Sequence, residues 1–159
     1  MRAAASWAWK NWDAIDFAAR RFSAAGQRPD PLDRLLDWMI ALESILCRGD
    51  GSVSYRVSTR AAILLGHDLP LRLALQKQVG ALYGLRSKIV HGSHQDLERT
   101  LKKMGDARAV GLQAYEIVRD VFLKLPEHPV LLDREGLVAL SLMGFAGGLP
   151  DKPIGAVEE

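Results

Sequence analysis

One cysteine in 159 residues leaves no partner for an intrachain disulfide. Cys47 falls in an apolar helical pattern, reads as buried filler, and suits a reducing compartment. Nowhere does the chain hold a run of about 18 apolar residues, so no membrane-spanning helix is expected. Residues 1–12 are rich in Ala and Trp, but Lys10 and Asp13 break the stretch before a signal-peptide core forms. A cytoplasmic location is the expectation. No segment sustains the period-two alternation of a strand, no internal repeat recurs, and no glycine-rich phosphate loop of the P-loop or dinucleotide type occurs. An excess of charge is also lacking: 21 Lys+Arg against 19 Asp+Glu gives +2, without the dense cationic footprint of a dedicated nucleic-acid binder.

What is present is ordinary globular material, 48% apolar and 25% charged, in a length that suits one domain with a proper core. The predicted class is all-α. A first helix is expected over residues 6–25, with Trp12, Ile15, Ala19 and Phe22 on one face and Trp7 and Trp9 ahead of it. Asp30 as N-cap and Pro31 at the first helical position open a second, whose stripe is Leu32, Leu35, Leu36, Met39, Leu42 and Leu46. Residues 48–52, which include Arg-Gly-Asp, read as a turn. A third helix over 54–65 turns Val57, Ala61, Leu64 and Leu65 inward and ends at Gly66. The fourth, from Leu71 to Val90 or His91, carries Leu71, Leu75, Val79, Leu82, Leu85 and Ile89 and stops at Gly92. A short helix over 96–104 precedes a fifth main helix over 107–125, with Val110, Ala114, Ile117, Val118, Val121 and Leu125 inward. Asp133 caps a last helix through Phe145. Residues 1–146 thus form one helical domain and 147–159 a flexible tail.

Two of these stripes contain an ionisable residue. At about 100° per residue, Glu43 falls near the middle of the second helix's apolar face, and Arg86 lies within about 40° of Leu82 on the fourth. A buried carboxylate without a partner is too costly, so the opposite signs imply that Glu43 and Arg86 face each other or share a pocket. Such a pair can simply fix helix register. It can equally hold an arginine for chemistry.

His91 stands five residues after Arg86, which on a continuous helix points it about 140° away. Convergence then requires either that the helix end at Val90 and the chain turn at Gly92, or that two copies meet across a two-fold axis. An arginine can grip a phosphodiester bidentately and a histidine can move protons near neutral pH. Together they suffice for attack of an RNA 2′-OH on the adjacent phosphate without a metal. His91, His94 and Asp96 lack a further strong metal ligand at useful spacing, and neither metal nor cofactor is expected. Arg99, Lys102, Lys103 and Arg108 form a basic patch, read as a solvated face.

Three segments in order, residues 33–43 (DRLLDWMIALE), 55–65 (YRVSTRAAILL) and 82–92 (LYGLRSKIVHG), resemble the HEPN superfamily, with its Apea-like branch the best fit. The likeness spans residues 12–125 and carries the Arg-x4-6-His motif as Arg86 and His91. It implies an α-helical bundle of about five main helices, plus the C-terminal helix, that pairs as a homodimer through the helix bearing Arg86. In active members of that family the motif makes a metal-independent endoribonuclease that acts in phage defence or toxin–antitoxin pairs. By resemblance, Arg86 and His91 are the catalytic candidates and Glu43 and Ser87 support them. Lys88, His94 and Arg99 are candidate RNA or phosphate contacts. An antitoxin or other defence-system component is the implied partner. Two positions depart from the pattern. Ser93 stands where many toxins carry the tyrosine that a partner enzyme modifies, and Ser87 stands where strong nucleases carry Asn, Asp or His. The competing expectation is an inactive relative that binds nucleotide or RNA, or only mediates dimerisation.

Overall fold

The computed structural model describes residues 12–47, 52–92 and 94–127, and within them every side chain except those of Trp12, Ala14 and His94. Residues 48–51 of the turn expected over 48–52, the Trp7 and Trp9 segment, Ser93, the helix from Asp133 and the tail from 147 lie outside the described residues. Six α-helices follow one another: α1 (Trp12–Gln27), α2 (Pro31–Leu46), α3 (Val53–Leu65), α4 (Leu69–Val90), α5 (His94–Met104) and α6 (Ala107–Lys124), with a 3-10 turn at Leu125–Glu127. The architecture is an all-α bundle, and among the described residues there is no strand. No described helix is long and apolar enough to cross a membrane.

Aspartates start three of the helices. Asp30 accepts from Leu32 N at 2.8 Å, Asp68 from Leu71 N at 2.8 Å and Asp106 from Ala109 N at 2.7 Å, each satisfying a donor that its helix leaves orphaned. The cap at Asp68 makes α4 begin two residues earlier than its apolar stripe implies, with Pro70 in its first turn. Arginines finish two helices, α2 and α3. Buried Arg60 donates to Leu46 O at 2.6 Å at the end of α2, and buried Arg72 donates to Gly66 O at 2.8 Å just past α3. These donors cover carbonyls that have no partner within their own helix.

α2 is the spine, flanked by α1 and α6, while α3 packs most extensively on α4 and also touches α2 and α6. The core joins Leu35, Met39, Leu42, Ile45 and Leu46 of α2 to Val57 and Ala61 of α3, Val79, Leu82 and Leu85 of α4, and the α6 stripe. On α6 the residues predicted to face inward, Val110 to Leu125, are buried as expected, joined by Gly111. Two readings need correction. On α1, Ile15 and Phe22 pack against the core as expected, but Ala19 is exposed and the inward small residues are Ala18 and Ala25, so the packed face is turned from Ala19 toward Ala18. On α3, every residue from Val57 to Leu64 is buried, because neighbours cover the helix on more than one side. A single-stripe reading cannot register that.

Gly66 does not end α3 in the left-handed conformation. Its φ is −88°, within reach of any residue, and its requirement is space: a Cβ there would stand 2.5 Å from Arg72 Cγ and 2.8 Å from Ala62 O. Gly92 at φ +66°, past α4, and Gly105 at φ +114°, past α5, are the helix-ending glycines that use this residue's conformational freedom.

Candidate functional site

Glu43 sits on the last full turn but one of α2, and Tyr83 and Arg86 sit one turn apart on α4. Packing of α4 against α2 brings Arg86 Nη2 to 3.5 Å from Glu43 Oε2. The same carboxylate oxygen accepts the Tyr83 hydroxyl at 3.3 Å, and the guanidinium carbon lies 5.4 Å from the Tyr83 ring centroid. Glu43, Tyr83 and Arg86 therefore form one cluster held by charge, a hydrogen bond and a cation–π contact.

The cluster is half-buried, with 25% of the Arg86 side chain and 31% of the Glu43 side chain exposed. Both residues lie nearer the edge of the core than the stripe positions imply. At 3.5 Å the ion pair is in Coulombic range without the bidentate geometry that would use up the guanidinium. Arg86 Nε is buried and has no hydrogen-bond partner. Burial, and next the Glu43 carboxylate, push the Tyr83 phenol up from its ordinary range, with Arg86 opposing. Tyr83 thus stays protonated at neutral pH and donates to Glu43. About a quarter of the Arg86 side chain stays exposed beside this pair.

His91 caps α4 and is exposed. Its N–H still donates to Ser87 O at 3.0 Å, and its φ of −87° keeps the Cα–Cβ bond close to the helical phase. The helix ends at Val90, yet that ending does not swing His91 toward Arg86, and the two side chains leave α4 about 140° apart. Within one chain the motif is split between the core side of α4 and its solvent side. On that solvent side, a Cβ added to Gly80 or Gly84 would meet nothing within 4 Å. Leu69 and Leu73 are about half exposed on the same face, and Ser87 is half-buried at its edge.

The remaining candidates scatter. Lys88 reaches across to α5 and donates to Thr100 Oγ1 at 2.6 Å, so its ammonium is engaged in holding the two helices. Arg99 is exposed and lies 3.6 Å from Asp96. His94 is the first residue of α5, and its side chain lies outside the described ones. Among the described residues, no group of three His, Cys, Asp or Glu side chains is placed to hold a metal ion. Cys47 is half-buried and free.

Sequence reasoning passed over Tyr83, although a tyrosine three residues before a half-buried arginine is at the spacing where the two share a helix face. It also passed over Asp37, which is 4% exposed and accepts from Arg21 and Arg28 at 2.9 Å each. That cluster ties α1 and the following turn to α2 and is structural. No family model matches the chain, and neither a curated protein nor a solved structure does.

Proposed function

We propose that the chain is a HEPN-like, metal-independent endoribonuclease that cuts single-stranded RNA as a homodimer. In this reading Arg86 holds the scissile phosphate and His91 moves the proton. The observation that carries it is the half-buried Arg86, oriented by Glu43 and Tyr83 while its outer edge stays open. Glu43 fixes the guanidinium without neutralising it bidentately, which leaves donors for a phosphate. Ser87 lies beside Arg86 at the edge of the solvent face and supplies a hydroxyl near the same phosphate.

The split between Arg86 and His91 makes dimerisation part of the chemistry. The face of α4 that bears His91 also bears Gly80 and Gly84, where a second helix can approach closely, with Leu69 and Leu73 at one end as apolar contacts. Two copies joined there bring two histidines to one interface and their Arg86 side chains to its flanks. In a cell such an enzyme fits a cytoplasmic toxin–antitoxin pair or phage-defence role, and an antitoxin would cover this cleft.

A second reading is favoured by one specific feature, the divergence of Arg86 and His91 within a single chain. Without a dimer the cluster is a nucleotide- or RNA-binding pocket, or a module that only pairs subunits. Cleavage of single-stranded RNA in EDTA by the wild type, Arg86→Ala and His91→Ala, with mass measured by light scattering on the same samples, separates the readings. The nuclease reading expects dimeric wild type to cleave and both variants to be inactive but folded. Full cleavage by His91→Ala, or none by a dimeric wild type across an RNA panel, refutes it.

A further inference from the structure

Tyr55 is the most exposed aromatic side chain among the described residues, at 62%, and neither its ring nor its hydroxyl has a partner there. Phe17, the next in exposure, lies under the Arg21 guanidinium instead. A single exposed ring is ordinary on a protein surface; what matters is where it stands.

α3 and α4 run antiparallel across the three-residue turn at 66–68. Arg72 donates to Gly66 O, and Gln76 Nε2 to Thr59 Oγ1 at 3.0 Å, so each step up α4 is a step back down α3. Tyr55 stands one turn before Thr59 and Gly80 one turn after Gln76, each about 40° from its predecessor. The next rung therefore sets Tyr55 level with Gly80, where α4 has no side chain to cover the ring. A Cβ added at Gly80 would meet nothing within 4 Å, so α4 is bordered by open space at this level.

The same flank of α4 leads into the Arg86 cluster. Gln76, which meets α3, and Tyr83, which meets Arg86, lie two turns apart and within about 20° of each other. α3 starts at Val53, so its cover of this flank stops just past Tyr55. Val90, two further turns along the same line, is 56% exposed. Arg86 is six residues beyond Gly80, about 9 Å along the helix axis, with a quarter of its side chain exposed.

We propose that Tyr55 is a base-binding residue of the Arg86 site, its ring stacking on a nucleobase of the single-stranded RNA whose phosphate Arg86 holds. This rests on the reading of the Arg86 cluster as an RNA site. A single strand offers base faces and phosphates in alternation, and a free ring near a guanidinium on one flank meets both. Every base has a π-face, so Tyr55 sets affinity and the register of the strand, not its sequence.

Fluorescence anisotropy of the full chain with short, labelled 2′-O-methyl RNA tests this, because that strand has no 2′-hydroxyl with which to be cut. Tyr55→Ala is expected to weaken binding by about tenfold or more with the Tm unchanged, and Tyr55→Trp to bind within about threefold of wild type. In a series of strands each lacking one base, a single position should cost the wild type about tenfold and cost Tyr55→Ala nothing. The proposal is overturned if Tyr55→Ala binds as tightly as wild type, if Tyr55→Trp is as weak as Tyr55→Ala, or if every missing base costs the two proteins equally. Cleavage of ordinary RNA in EDTA judges the nuclease reading by itself. A wild type that binds through Tyr55 but never cleaves refutes the nuclease and keeps the stacking. Cleavage with an unchanged KM in Tyr55→Ala refutes the stacking and keeps the nuclease, and a wild type that binds no RNA refutes both.

Discussion

Glu43 Oε2 accepts the Tyr83 hydroxyl at 3.3 Å while facing Arg86 Nη2 at 3.5 Å. One carboxylate oxygen serves two partners on α4, and neither contact is short. The carboxylate steers the guanidinium and leaves it capable of holding something else. A partly solvated pair of this kind contributes little to stability on its own, on the order of 1 kcal/mol, because water screens it. Its value lies in where it places the arginine.

Arg86→Ala should lower stability by about 1–2 kcal/mol in urea denaturation, from the lost pair and the lost packing of the arginine stem. His91→Ala, at an exposed helix end, should change it by less than about 0.5 kcal/mol. Under the nuclease reading both lower the rate of RNA cleavage by about a hundredfold or more. An Arg86→Ala protein as stable as wild type would remove the structural role given to the pair.

Tyr83→Phe probes the cluster through alkaline pH. Burial and Glu43 raise the phenol above its ordinary value, so the fold prefers the neutral, protonated form. That contribution is fully present below about pH 10, the unfolded value, and is lost as pH rises through the raised folded value. The wild-type Tm should therefore fall above about pH 10 more steeply than that of Tyr83→Phe, which at pH 7 is less stable by about 0.5–1 kcal/mol. Identical alkaline slopes in the two proteins would count against a buried, Glu43-bonded phenol.

Gly84→Gln separates the monomer from the dimer. A side chain there enters open space in the single chain, and loss of a mid-helix glycine should hold or raise the Tm, by up to about 1 kcal/mol in stability. If a second copy packs on this face, the longer side chain blocks it, and light scattering should report a monomer. A dimer that persists in both Gly80→Gln and Gly84→Gln would place the interface elsewhere.

Gly66→Ala should cost about 2 kcal/mol despite an unremarkable φ, since the new methyl would stand 2.8 Å from a backbone carbonyl that helical hydrogen bonding holds in place. Arg72 Cγ, at 2.5 Å, can swing aside, but only by giving up the Arg72 bond to Gly66 O. A variant of unchanged Tm in a thermal melt would refute the steric account.

Much of the framework is legible in the residues. Asp30 and Pro31 mark the start of α2, Gly92 marks the end of α4, and the inward set of α6 follows from spacing alone. Each depends on interactions within about one turn of the chain. Ala19 fails for the opposite reason: alanine is neutral between core and solvent, so only α2 decides which small residues of α1 it covers. Asp37 fails similarly, since its arginines lie nine and sixteen residues away and no helical period connects them.

By itself the sequence determines that the chain is helical, that Glu43 and Arg86 lie on packed faces with opposite charge, and that His91 leaves α4 in another direction. All three follow from helical phase and from the cost of burying a lone charge. Only the tertiary structure decides that the pair sits at 3.5 Å with about a quarter to a third of each side chain in solvent, that Tyr83 shares its oxygen, and that α2 and α6 leave a groove between them. Those features depend on the separation, direction and depth at which helices distant in sequence pack, and no single helix's periodicity carries that information.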